Sequence, residues 1–593
     1  MKSQAKAILG ICLGLAAGAG RAQTLTYPGC ANPTASEFPV TELAAGKGLQ
    51  EPVGFDLQSV WNAAGDSVTQ INIFFVERMG KVKFFNGATG AVNLAATIPV
   101  AANSTFKCCG GSDDNGLMGV ALDPKFNDNR WIYLWYGPPP PDTSTNPRLH
   151  LSRFTVKSDN TLDMASEKIL IDLLTSKGEH RHAGGPMAFD AHGDLWVTLG
   201  QSGNDIDYPN KGSQWQNDSG LNQEWGPSCT ASLRGGIMRI HPDDAATAKT
   251  EVHSGVYGPG YTIPAGNFGE YWSGQWQSQG KTDLATQYKD KAKVLPEVYV
   301  KGNRSPFSIG VHPTKQWLAW GEVNPTGYND EINLWTHPIF AGHPYFIENN
   351  RVDAFSPPAG QQPGTAKDPA APTNTSPFNN GVTQLPPAMP GTLNGDPSVG
   401  NVAMSGPFYV YNHSLRNREK LPPHFDNHFF HMSFQASTMF VNTLDTLAGT
   451  ITRTDRIDRD LFKAISLRSP LAARVGGDGA LYVLNYDGYY SVNLPAVERI
   501  RYTGPCLLPV VPVAVRAYPS DFGVRKTPLG LSIEGRHALT LRDLGGRTLL
   551  RLESGGPAEY SYGDLRAQNR LPGGLALVEV RTERGRFTEK ILL

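Results

Sequence analysis

The chain has 593 residues, with 53 Lys and Arg against 54 Asp and Glu, so its formal net charge is -1. Near-neutrality argues against nucleic acid as the main partner, because phosphate binding rests on a cationic excess. Hydrophobic residues at 40% and aromatics at 10% can fill large cores, which disfavours disorder, a coiled coil or a multispan membrane protein. The 64 glycines and 45 prolines favour many turns and short strands over long helices.

Residues 1–22 read as a secretory signal. Lys2 and Lys6 form a basic start, Ile8 to Ala17 is apolar, and Gly20-Arg21-Ala22 offers small residues to a signal peptidase. No later run reaches the ~18 apolar residues of a membrane span, so no transmembrane segment is expected once the signal is removed. Leu9-Gly10-Ile11-Cys12 comes too early for a lipoprotein signal. Five cysteines remain: Cys30, Cys108, Cys109, Cys229 and Cys506. Export permits disulfides. Cys30 and Cys506 lie near the two ends of one large region and could clasp it. One of Cys108 and Cys109 would pair with Cys229, with a bridge between the two neighbours as the alternative. The odd count leaves one thiol over, unless it pairs between chains. No cysteine or histidine spacing suggests zinc.

From residue 23 to about 508 the chain repeats one loose phrase: an apolar strand, a turn with Asp, Pro or Gly, and a second apolar strand. Gly119 to Pro124 leads into Trp131 to Tyr136, and Met187 to Asp190 into Leu195 to Leu199. Ile309 to Pro313 leads into Trp317 to Trp320, and Val475 to Ala480 into Leu481 to Leu484. Each reads as an antiparallel hairpin. Hairpins spread along so long a chain point to a β-propeller. Their irregular spacing requires long insertions, and a sandwich assembly stays open on periodicity alone. Residues 350–400, rich in Pro, Gly, Asn, Ala and Thr, read as a surface excursion. Pro509 to Val513 looks like a stiff connector. Beyond it, residues 511–593 hold no Trp and no Cys, and 11 Arg and 2 Lys against 9 Asp and Glu. The domains expected are therefore a signal at 1–22, a propeller at 23–508 and a smaller unit at 509–593.

Several phrases, in order, resemble the soluble quinoprotein glucose/sorbosone dehydrogenase family. They are Asn115 to Pro124, His182-Ala183-Gly184-Gly185 and Leu233 to Ile240, then Tyr261 to Asn267 and Gly302 to Pro306. Gly321 to Pro325, Asn329 to Asn333 and Asp478 to Leu484 complete the set. The resemblance spans roughly residues 50–505. It implies an all-β, six-bladed β-propeller with long insertions, holding pyrroloquinoline quinone (PQQ) and calcium and oxidising a sugar or related alcohol. In the tail, Leu539 to Arg547, Leu571 to Val580 and Lys590 to Leu593 resemble the C-terminal sorting domain of type IX secretion. That implies a small C-terminal β-sandwich read by the type IX secretion machinery, and a secreted or cell-surface location reached through the periplasm. A generic carbohydrate-binding or spacer sandwich is the alternative, weakened by the lack of Trp.

The resemblance places chemistry on particular residues. His182 matches the family's catalytic base, a role that suits an imidazole whose pKa lies near working pH. Arg304 matches the arginine facing the quinone, where its fork can hold an oxygen or a carboxylate. Asp114, Ser305 and Gln435 fall where the family contacts the cofactor, although Asp114 could equally cap a turn. Asn324 and Pro325 match the loop whose backbone carbonyls hold calcium, a hard cation that favours oxygen. Three positions depart from the pattern. Gln201 stands where an Asp orients the histidine, Ser305 replaces an Asn, and Gln435 replaces a basic residue expected on a late strand. Ser469 to Ala472 lacks charge, with Arg468 as a substitute if the register slips. The partners expected are a sugar-like small molecule and an external electron acceptor, since no haem-attachment motif occurs. The departures leave a second reading open: a non-catalytic propeller binding a carbohydrate or a protein at the same funnel.

Overall fold

The computed structural model describes residues 33–101, 115–141, 148–174, 182–201, 226–244, 250–252, 255–257, 260–324, 329–348, 351–352, 381–394, 398–486 and 495–505. In the tail it describes 524–527, 530–533, 536–542, 547–556, 558–561, 565, 575–582 and 585–592. The signal segment, Cys30, Cys108, Cys109, Cys506 and most of the 350–400 excursion lie outside these residues. Cys229 is buried. The chain divides into two compact units, one formed by Met1–Tyr411 with Asn417–Leu507, the other by Asn412–Arg416 with Leu508–Leu593. Among the described residues no helix is long and apolar enough to cross a membrane.

The four expected hairpins form. Three of them share a device that explains the recurring phrase. An aspartate opens the turn and accepts backbone N–H groups, then takes a hydrogen bond from an aromatic on the second strand. Asp190 holds the N–H of His192 (2.8 Å) and Asp194 (3.0 Å) and the Trp196 indole (3.0 Å). Asp123 holds the Lys125 N–H (2.9 Å) and the Tyr133 hydroxyl (3.0 Å). Asp478 holds the Ala480 N–H (3.2 Å) and the Tyr482 hydroxyl (2.8 Å). A buried aromatic with a polar tip thus has its partner supplied by the turn that created the hairpin. In the remaining hairpin His312 stands in place of the aspartate and accepts the Thr314 N–H at Nδ1 (3.2 Å).

In the larger unit the described residues contain six sheets of at least four strands. Their first strands are Pro52–Trp61, Leu117–Leu122, Met187–Phe189, Ile309–Val311, Ala403–Tyr409 and Pro470–Val475. Each packs against the next, and the last packs against the first, so the six line one central channel. This is a β-propeller. Backbone meets backbone at the axis, and glycine permits it. A Cβ on Gly119 would stand 1.9 Å from the Gly185 carbonyl oxygen, and one on Gly310 2.1 Å from that of Gly406. The ring closes through the beginning of the chain. Val40–Leu43 is the outermost strand of the sixth blade, with Val40 opposite Ile500 and Leu43 opposite Val497. The third blade carries an insertion with two helices, Phe268–Ser278 and Thr282–Lys289, before its outer strand Val298–Lys301.

The smaller unit is a β-sandwich. One sheet joins Val524–Thr527, Gly530–Ile533 and Ala558–Ser561. The other joins Thr548–Ser554, His537–Arg542, Leu575–Thr582 and Gly585–Leu592. Leu531 and Ile533 from the first face Leu539, Leu541, Val578 and Val580 from the second in one core. Alternating burial along His537–Arg542 is the pattern of a strand with one face inward.

Candidate functional site

One mouth of the channel is built from the segments that enter the inner strands. His182 precedes the third blade, Arg304 and Ser305 the fourth, Asn401 the fifth and Ser469 the sixth. His182 has φ +58°, a left-handed backbone that a residue with a Cβ rarely adopts. Such strain costs on the order of 1–3 kcal/mol and persists where the surroundings enforce it. Here the Trp135 indole, from the second blade, donates to the Ala183 carbonyl (2.8 Å), and the Gly185 N–H donates to the Thr198 carbonyl (3.0 Å).

His182 and Arg304 meet at Gly200. A Cβ built there would lie 2.6 Å from the His182 carbonyl oxygen, 2.7 Å from the His182 Cβ and 2.7 Å from the Arg304 carbonyl oxygen. The Gln201 N–H donates to that same Arg304 carbonyl (2.9 Å). Two residues 122 positions apart in the chain therefore flank a single glycine at the end of the strand Leu195–Leu199.

Glu322 organises the arginine loop. Its Oε1 accepts the N–H of both Arg304 and Ser305, each at 2.7 Å. Burial first, then the neighbouring Glu331 charge, push its carboxyl up to about 8, against the lowering effect of the two N–H donors. Ser305 is buried and tied by its backbone rather than displayed. The Arg304 Nη1 donates to the Val323 carbonyl (3.0 Å) and reaches the Asn324 carbonyl (3.5 Å). A guanidinium thus faces the carbonyl loop on which a cation was expected. The Asn324 side chain turns the other way, donating to the Asn329 carbonyl (2.7 Å) and to Glu331 Oε1 (3.1 Å). Burial pushes Glu331 up to about 7. Asp330 accepts the N–H of Asn324 (3.0 Å) and of Val402 and Ala403 in the next blade. The phrase Asn329 to Asn333 is therefore a staple between the fourth and fifth blades as well as a neighbour of the mouth.

The Val323 and Asn324 carbonyls are oxygen ligands of the kind a hard cation takes, and they accept here from the Arg304 guanidinium, which calcium would have to displace. The buried Asn303 Oδ1, next to Arg304 in the chain, meets no donor among the described residues. Asp114 and Pro325 lie outside the described residues.

Two expectations are corrected, and Gln201 gains a partner that the sequence did not suggest. Gln435 is not on a strand. It lies in the turn between His428–Ser433 and Thr438–Asp445, where its N–H donates to the Asn401 carbonyl (3.3 Å) at the entrance to the fifth blade. Arg468 does not substitute in the mouth: its guanidinium binds Glu42 on the ring-closing strand, an ion pair the closure creates. Gln201 is not simply a lost carboxylate. Its Oε1 meets Nε2 of buried His343 at 2.9 Å, and the His343 N–H donates to the Gly302 carbonyl (3.0 Å). His343 carried no signal in the sequence, because 142 residues separate it from its partner.

Comparison with known proteins adds to this geometry. Residues 58–261 match the family model described as glucose/sorbosone dehydrogenase. An uncharacterized protein of Synechocystis sp. is 22% identical over 291 residues, 48% of this chain and 55% of that protein, so the chain spans about half the length of this curated relative. Three solved structures are similar to this chain. One is a Thermus thermophilus oxidoreductase described as glucose dehydrogenase (18% identity, 78% of this chain and 99% of that one, TM-score 0.47). Another is the soluble aldose sugar dehydrogenase of Escherichia coli in its apo form (15%, 79% and 100%, 0.46). The third is the PQQ-bound aldose sugar dehydrogenase of Streptomyces coelicolor (12%, 79% and 100%, 0.43). The ring of blades and the matched segment together make the larger unit a β-propeller whose residues 58–261 are similar to sugar dehydrogenases.

Proposed function

We propose that this protein is an exported dehydrogenase that oxidises a sugar, or a sugar-derived alcohol or aldehyde, with PQQ and calcium at the mouth described above. The observation that carries this reading is the meeting of His182 and Arg304 at Gly200. His182 is the base: its imidazole accepts the proton of the substrate hydroxyl, a role worth about 10²–10⁴-fold in rate. The quinone, when bound, supplies the acceptor for the hydride, and an external acceptor then takes the electrons. Arg304 stabilises negative charge on the acceptor's oxygens, with Asp114 as a further contact and the Asn324 and Pro325 carbonyls as calcium ligands.

A second reading has support of its own. The Arg304 guanidinium is engaged with Val323 and Asn324, and Gln201 with His343, so a degenerate propeller that only binds a carbohydrate or a protein also fits. Reconstitution separates the two: purified protein with PQQ and calcium should bind the quinone at micromolar concentration and reduce a dye with some member of a sugar panel. Failure to bind rejects the enzyme. We also propose that residues 1–22 direct export and that 509–593 engage the type IX secretion machinery. Removing 511–593 should then strand the protein in the periplasm, and normal surface delivery of that truncation would reject the sorting role.

A further inference from the structure

The channel has a second mouth, at the opposite ends of the inner strands. There a cavity of about 340 Å³ opens between the first, second, third and sixth blades. A smaller void of about 20 Å³ lies along the inner strands, among residues such as Phe55, Met118, Met187 and Ile309. Arg474 borders both spaces. Its side chain crosses the axis from the sixth blade to the third, where Nη2 donates to the Met187 carbonyl (3.2 Å), while Nη1 donates to the Ala473 carbonyl (3.0 Å). The far cavity thus has a guanidinium in its floor.

Its chemistry is specific. The remaining N–H groups of Arg474, the Nε–H included, meet no protein acceptor among the described residues. Asp56 stands beside the floor with both oxygens fixed by backbone donors, Leu57 N–H at 2.8 Å and Leu122 N–H at 2.7 Å, and keeps further lone pairs for a ligand. Burial pushes the Asp56 carboxyl up and the Arg474 guanidinium down, and each charge partly offsets the effect on the other. Gln58 and Asn127 form an amide chain along one wall, Gln58 Nε2 donating to Asn127 Oδ1 (3.0 Å) and Asn127 Nδ2 to the Ser59 carbonyl (2.8 Å). Phe189 lines another wall, and Trp61, 40% exposed, forms the rim. The rim is braced from the sixth blade: the Gly477 N–H donates to Ser59 Oγ (3.1 Å), and a Cβ on Gly477 would come 3.2 Å from the Trp61 ring.

We propose that this second mouth binds a neutral sugar of one or two rings. Hydroxyl groups both donate and accept, which is what a floor of open guanidinium donors beside a carboxylate requires. A pyranose also offers an apolar C–H face to Trp61, and the volume lies in the small-molecule range of about 300–1,000 Å³. Charge selects against the alternatives. Asp56 and a second lining carboxylate, Asp123, outnumber Arg474, which disfavours an anion, while Arg474 on the floor disfavours a cation. Asp123 itself is occupied by Lys125, Asn129 and Tyr133. The assignment does not depend on the dehydrogenase reading, because the two mouths share no binding residue.

The test is calorimetric titration of the full-length protein, without quinone, against D-glucose, D-galactose, D-mannose, D-xylose and maltose, with gluconate as the anionic control. At least one neutral sugar should bind with Kd near or below about 1 mM, and gluconate more weakly than glucose. Trp61→Ala, at the rim, should weaken binding about tenfold, or about 1.4 kcal/mol. Arg474→Met should abolish it, while Arg304→Gln at the first mouth should leave it in place. Should Arg474→Met fail to fold, Trp61→Ala alone decides. No binding across the panel would overturn the proposal, as would binding indifferent to Trp61→Ala or lost in Arg304→Gln.

Discussion

Replacing Gly200 with alanine perturbs the glycine that the proposed base and the proposed cofactor-binding arginine both flank. The added Cβ would stand 2.6 to 2.7 Å from the His182 carbonyl oxygen and Cβ and from the Arg304 carbonyl oxygen. Relaxed carbon contacts lie at about 3.5–4.0 Å, so the two segments must separate by roughly 1 Å. The obstructing atoms are two backbone oxygens and a Cβ, none of which can swing aside as a long side chain would. Overpacking of this kind costs about 1–3 kcal/mol, and a misplacement of ~1 Å at a reacting group costs about 10²-fold in rate. The matched control is Gly274, on the exposed face of the helix Phe268–Ser278, where a Cβ meets nothing within 4 Å. Alanine there should stabilise by roughly 0.5–1 kcal/mol. Both variants are measured by thermal denaturation and, after reconstitution with quinone and calcium, by dye-linked sugar oxidation. Gly200→Ala should melt lower than wild type and lose about two orders of magnitude in turnover, with Gly274→Ala unimpaired in both. A Gly200→Ala protein that melts and turns over like the Gly274→Ala protein would refute the convergence argument.

Three further outcomes are expected. Lys301 is buried, and its Nζ donates to the carbonyls of Gly226 (3.0 Å), Ser232 (2.9 Å) and Arg234 (2.6 Å). Lys301→Met leaves these buried carbonyls without their donor, which costs about 1–3 kcal/mol for each, and an unchanged urea midpoint would contradict that role. Burial pushes His312 down to about 4, with the Lys315 charge adding to the shift. Its folded pKa lies below its unfolded one, so the folded state loses stability as pH falls from about 7 to 4, by about 3 kcal/mol from this group. Denaturation curves of His312→Asn should lack that component, and an identical pH slope in wild type and variant would count against it. Trp135→Phe removes the indole donor that holds Ala183. It should cost about 1 kcal/mol of stability and lower dye reduction several-fold by loosening His182, whereas full activity would show that the loop holds its shape unaided.

Three of the four hairpins were legible because they combine local signals: an apolar strand, a turn-forming aspartate and an aromatic partner within ten residues. Asp123 with Tyr133, Asp190 with Trp196 and Asp478 with Tyr482 are such pairs. The boundary of the tail was legible from its change of composition, and its sandwich was reached through resemblance. The meeting of His182 and Arg304 was not contained in spacing; it was reached only through resemblance. What escaped was long-range. The closing strand Val40–Leu43 finds its partner at Ala496–Ile500, and with it comes the Arg468–Glu42 pair, which no local pattern encodes. The Gln201–His343 contact and the reach of Arg474 across the channel are equally non-local. The first of the two insertion helices did leave a signal. Phe268, Trp272 and Trp276 recur at four-residue intervals behind Asn267, the period of a helical face, within a chain otherwise read for strands.

The account rests most directly on whether the first mouth performs proton abstraction beside a bound quinone. The measurement is dye reduction by quinone- and calcium-loaded wild type and His182→Ala, with quinone binding followed in the same samples. The two proteins should bind the quinone alike, and His182→Ala should be slower by at least about 10²-fold. Equal turnover would remove His182 from the chemistry, and absence of quinone binding in wild type at micromolar concentration would contradict the dehydrogenase itself.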